Sequence, residues 1–134
     1  MTSKRKNGSN YGYVGLISVL VVGAVATAVA TTVILLGLSN SRSSFEIIQS
    51  DQAKGLANAC AETALMQIRN STPYVGIGSL SLGQGSCNYS VTAGTGQNRT
   101  VTASGFVGTV VRKVSISVTQ INPQITLSTW QEIP

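Results

Sequence analysis

Tyr13–Leu38 reads YVGLISVLVVGAVATAVATTVILLGL, 26 positions with no charged side chain, and its reading decides the fold. At 1.5 Å rise per residue it makes a helix of about 39 Å, longer than the roughly 30 Å hydrocarbon core of a bilayer. Backbone amides in lipid must find partners within their own segment, so a run of this length is expected to span a membrane as a helix. The charge-free interval is wider still, from Asn7 to Ser41. Lys4, Arg5 and Lys6 stand before it; Arg42 follows it and is soon offset by Glu46 and Asp51. The positive-inside rule then leaves the N-terminus in the cytoplasm and residues from about 39 onward outside. The expected location is a cytoplasmic (inner) membrane, crossed once.

Those three leading cations also explain most of the basicity. Without them the formal net charge falls from +5 to +2. The remaining basic residues are scattered apart from Arg112-Lys113, which is no stripe for nucleic acid, and none is expected as a partner. The chain holds no histidine and only four acidic side chains, none paired near a plausible nucleophile, so neither enzyme activity nor a metal or cofactor site is expected.

Outward from the apolar run, four regions are expected. Residues 1–12 are a polar, basic leader or cytoplasmic stub. Residues 13–38 are the transmembrane helix. Within it Gly23, Ala24, Thr27, Ala28 and Ala30 place small residues four apart, a surface that lets another helix approach closely. Residues 39–70 extend the helix amphipathically, either as one long bent helix or after a break near Ser39–Ser43. In this part Phe45, Ile48, Gln52, Leu56, Cys60 and Thr63 follow one face, with Ala53 and Ala59 beside them. Ser43-Ser44-Phe45-Glu46 reads as a capping box, and Ser71-Thr72-Pro73 ends the helix.

Residues 71–134 are expected to form a β head. Gly76–Gly85 reads as a turn-rich connector. After it the period changes to two: Cys87, Tyr89, Val91 and Ala93, then Val101 and Ala103, then Val114, Ile116 and Val118, with Ile125 and Leu127 as a possible fourth strand. Turns are expected at Gly94–Gln97, Gly105–Gly108 and Asn122-Pro123. The class is α+β, a long N-terminal helix over a small antiparallel meander. Cys87 shares the parity of Tyr89 and Val91 and so faces the helix, which pairs it with Cys60; the alternative is two free, buried thiols. Arg112 has the parity of Val114 and Ile116, so it either snorkels at a sheet edge or marks a bulge.

A short basic leader ending in Gly12, then Tyr13-Val14-Gly15-Leu16-Ile17, an apolar helix, an amphipathic one and a small β head resemble the type IV pilin and pseudopilin superfamily. Ala59-Cys60-Ala61-Glu62-Thr63-Ala64-Leu65 looks like the Ala-rich, Glu-containing stretch of X-type minor pilins. The resemblance covers about the first 70 residues. It implies cleavage after Gly12 by a prepilin peptidase, methylation of Tyr13, and assembly with other pilin subunits by a pilus machinery, the membrane lipid serving as reservoir. It also makes Glu62 a possible subunit contact. Filament-forming members usually carry glutamate as the fifth mature residue; here Ile17 stands there, which points to a minor or tip-type subunit. The competing expectation is a single-pass membrane protein whose β domain binds a partner without polymerising.

Overall fold

The structure is a computed structural model and describes residues 9–134. One helix, α1 (Ser9–Asn70), is followed by β1 (Gly76–Leu82), β2 (Gly85–Ala93), β3 (Arg99–Val107), β4 (Val110–Gln120) and β5 (Thr126–Ile133). The strands form one antiparallel meander in the order β1-β2-β3-β4-β5, which confirms the α+β class. Two compact units divide the described residues, 9–43 and Ser44–Pro134. Most of the expected leader, residues 1–8, lies outside the described residues, and residues 9–12 are helical.

Helix continues through Ser39–Ser43 without a break, so Ser43–Glu46 is no N-terminus and its capping box caps nothing. The expected end holds: α1 stops at Asn70, where the Ser71 N–H still donates to the Gln67 carbonyl (3.0 Å) before Pro73.

In the second unit, α1 lies on one sheet face. The helix side of the contact is Ala53, Ala57, Cys60, Ala61, Ala64 and Ile68, all fully buried. The sheet side is Cys87, Tyr89, Val91, Val101, Ala103, Val114, Ile116 and Val118. Alanine prevails on the helix because the backbones come together at Gly105. A Cβ there would overlap the Ala53 carbonyl and stand 2.7 Å from the Ala57 nitrogen. This corrects the expected packing face in part: Cys60 lies in the core and Leu56 packs against it. Phe45, Ile48 and Gln52 are exposed, and Cys60 belongs to the alanine face one step round the helix. Large apolar side chains on the alanine face would hold the helix off the sheet.

Two further expectations need correction. Gly76–Gly85 is no connector: Gly76–Leu82 is a strand in unbroken register with β2, from Gly76 opposite Val91 to Leu82 opposite Gly85. Its glycines concealed it, because a strand needs no side chain of its own where a neighbour supplies one. Tyr89 does so, covering Gly78 directly across the ladder. The actual turn is Gly83-Gln84, with Gly83 at φ 60°. Likewise Gly105 and Phe106 belong to β3, and the hairpin turns at Gly108-Thr109. The head therefore has five strands instead of four.

Cys60 and Cys87 are disulfide-bonded, Cα–Cα 6.0 Å, and tie the helix to β2 inside this core. The bridge spans 27 residues of chain, which chain-entropy reasoning values at about 3.5 kcal/mol. Replacing both cysteines by alanine should lower unfolding stability by about that amount in urea titration of detergent-solubilised protein; an unchanged midpoint contradicts this account. Gly105→Ala should cost about 1–3 kcal/mol by overpacking at the closest backbone approach, read in the same titration.

Candidate functional site

The feature that sets this chain apart is the surface of α1, which differs from one end to the other. In the first unit every apolar side chain from Val14 to Leu38 is exposed, and none of the apolar window is buried. Full cover of a Val, Leu or Ile side chain is worth about 1.5–3 kcal/mol, so water is a poor solvent for this segment by tens of kcal/mol. Its hydroxyls are closed off. Ser18 donates to the Val14 carbonyl (2.8 Å), Thr27 to Ala24 (2.9 Å), Thr31 to Ala28 (2.9 Å) and Thr32 to Ala28 (2.8 Å). Such back-bonding lets Ser and Thr sit in an apolar medium with no donor left unsatisfied. The helix is long and apolar enough to cross a membrane.

Gly23, Ala24, Thr27, Ala28 and Ala30 are all exposed, and a Cβ added at Gly23 meets nothing within 4 Å. The small side chains thus leave a shallow, open surface. Gly12 and Tyr13 lie in the first turns of α1 and are exposed. Glu62 is exposed and has no salt bridge among the described residues; four residues on is Met66, so no helical ion pair is available to it.

Within the second unit, α1 carries a second face that the sheet covers only in part, at Leu56. Phe45, Ile48, Gln52, Leu56, Ala59, Thr63 and Met66 repeat at three- and four-residue spacing, and none is charged. Phe45, Ile48 and Met66 are each more than half exposed. Beside Leu56 and Ala59 runs a groove closed by Leu82, Gly83, Gln84, Gly85 and Val107. The periodicity in the sequence was real, but it marks a face covered only in its middle. The covered one is written in alanine, whose weak hydropathy hides it.

The opposite flank of the helix is charged. Glu132, on β5 opposite Val114, accepts from Lys54 (3.2 Å) and Arg112 (3.2 Å), and Arg112 Nε donates to Ser50 Oγ (2.8 Å). Arg112 has the inward parity expected of it. It marks no bulge, since Gly105 pairs with it in regular register. These half-exposed pairs are worth at most about 1 kcal/mol each and serve mainly to orient the seam.

Sequence reasoning missed Arg99. It is a cation 8% exposed with no carboxylate beside it. Its guanidinium donates to the carbonyls of Thr72 (3.0 Å), Gly96 (3.1 Å) and Asn98 (2.7 Å). Thr72 lies just beyond the C-terminal end of α1, where backbone carbonyls favour a cation. Asn122 donates to Thr72 Oγ1 (2.9 Å), and Gln97 Oε1 accepts from the Ile121 and Asn122 N–H groups. One polar latch therefore joins the helix end to two turns of the sheet. The only signal in the sequence was Arg99 at an inward parity, next to Val101.

No family model, curated protein or solved structure matches this chain.

The Tyr74 and Tyr89 hydroxyls meet at 3.5 Å beside β1. The hydrogen bond to Tyr74, followed by burial, raises Tyr89 above the ordinary 10.0. The neutral phenol is thus favoured in the folded state, and its stabilisation is complete below pH 10 and lost as pH rises through the folded value. Absorbance titration at 295 nm should show a late-ionising tyrosine that disappears in Tyr89→Phe; identical curves would contradict the pairing.

Proposed function

We propose that this chain is a pilin-like subunit, of minor or tip type, of a type IV pilus or a related secretion pseudopilus. Before assembly α1 holds it in the cytoplasmic membrane, the N-terminus inside and the head outside. Assembly then exchanges lipid for neighbouring helices. One observation carries this reading: α1 presents an exposed, charge-free surface from Asn10 to Ser41, and the hydroxyls between Val14 and Leu38 are internally bonded. The uncharged stripe Phe45–Met66 continues that character beyond the membrane. A monomeric anchor accounts for the first surface but leaves the second idle. The leader ending at Gly12 supports removal by a prepilin peptidase, with methylation of Tyr13. Ile17 at the fifth mature position supports a minor or tip role, since no carboxylate there can meet the amine of a neighbour. The small residues Gly23, Ala24, Thr27, Ala28 and Ala30 are then the packing surface between helices, and Glu62 lies free for a subunit contact.

N-terminal sequencing of the mature chain tests the processing step. Methylated Tyr13 is expected, with Gly12→Val retaining the leader. A start at Met1 or Thr2 would indicate an uncleaved anchor, and one at Val29 or Thr31 a secreted domain. For the packing surface, Gly23→Leu should reduce α1–α1 photo-cross-linking from position 25 at least tenfold with membrane insertion unchanged; equal cross-linking would contradict helix packing there.

A further inference from the structure

The sheet of the head has two free edges, and they are not alike. Edge strands expose unpaired N–H and C=O groups, and natural sheets blunt them with charges, prolines, bulges or cover. β1 has none of the first three. Gly76-Ile77-Gly78-Ser79-Leu80-Ser81-Leu82 carries no charge and no proline, and pairs with β2 without a register shift. Ile77 is 82% exposed, and Val75 and Leu82 are half exposed. β5 has two register irregularities against β4, at Ser117/Val118 and Val118/Gln120; from Thr129 to Ile133 its ladder is regular. Its single charge, Glu132, is already engaged by Lys54 and Arg112. On this edge Leu127 and Trp130 stand opposite the buried Val118 and Ile116, yet both remain exposed, Trp130 at 42%.

We infer that β1 of one copy pairs with β5 of a second copy, joining the heads into a continuous sheet. Three observations select this occupant over a β1–β1 dimer or a foreign strand. First, β1 and β5 are both odd members of an antiparallel meander and run in the same direction. Copies that share one orientation therefore bring them together as a parallel pair. A β1–β1 pair with both helices on the same sheet face requires a two-fold axis normal to the sheet, and that reverses the helices lying on it. Second, the edges are compatible in chemistry: Trp130 overhangs its edge on the helix-facing side, where the rings of Tyr74 and Tyr89 lie over Gly76 and Gly78 of β1, and neither strand brings an unpaired charge. Third, the second unit holds five basic and four acidic side chains, so like heads repel one another little. The contact is heterologous, and each copy keeps one free edge for the next. The inference rests on the proposed assembly only for the common orientation of the copies.

The test is photo-cross-linking in cells that make the full chain in tagged and untagged forms, with p-benzoylphenylalanine at position 77. A second probe at position 25 of α1 reports assembly independently. The expected product joins residue 77 of one copy to a peptide within Thr126–Ile133 of the other. Ile77→Lys or Thr129→Lys, on exposed side chains, should reduce β5 adducts at least tenfold, read at 77 for Thr129→Lys and from a probe at position 131 for Ile77→Lys. The position-25 product should persist in both. Adducts at 77 that map to β1 of the second copy, to another protein or to none overturn the inference. If the position-25 product is present in that case, the inference fails alone. Loss of the position-25 product with 77–β5 adducts retained strikes the filament reading instead.

Discussion

One mismatch organises the molecule: α1 carries far more apolar surface than its own head covers. The sheet covers one face of the helix over Ala53–Ile68. From Val14 to Leu38 the side chains are apolar all round, and the few hydroxyls among them bond back to the helix itself. A helix of that composition in a soluble protein would be the core of something larger. Here the sheet is occupied by the Ala53–Ile68 face, and under the proposed function the cover comes from lipid or from other chains.

The head answers a different requirement. It holds the C-terminal part of α1 by one face while leaving most of the flanking face exposed. Alanine and Gly105 allow backbone-to-backbone approach, which concentrates the contact on a narrow strip. The Cys60–Cys87 bridge and the Arg99 latch fasten the middle and the end of that strip. Bulkier residues would have packed as well by area, but with the helix lifted and its second face drawn into the core. The Phe45–Met66 stripe and the groove beside Leu56 exist because the first contact is so thin.

Much of this was legible in the residues. The long apolar run, the period of two in β2, β3 and β4, and the parity of Cys87 led directly to the helix, the meander and the disulfide. Three things were hidden, each for a physical reason. β1 reads as a linker because Gly76 and Gly78 yield their space to the rings of Tyr74 and Tyr89, so its pattern lies in residues far along the chain. The packing face of α1 was centred on Phe45, Ile48, Leu56 and Thr63, whereas the sheet buries the alanine strip beside them, with Cys60 and Ile68. Arg99 was passed over because its partners are carbonyls, and a carbonyl has no letter in a sequence. Of the candidate residues, Cys60 and Cys87 are brought together by the fold, while Gly12, Tyr13, Gly23 and Glu62 stand on open helix surface.

The central claim is that the uncharged length of α1 never meets water in the working protein. Hydroxyl-radical footprinting of intact cells making the full chain measures this directly, residue by residue. The account predicts that Val19–Leu38 stays unoxidised in both the membrane-held and the assembled pools, while Ile77 is oxidised in the membrane-held one. Oxidation along Val19–Leu38 at the rate of the exposed head residues would contradict it.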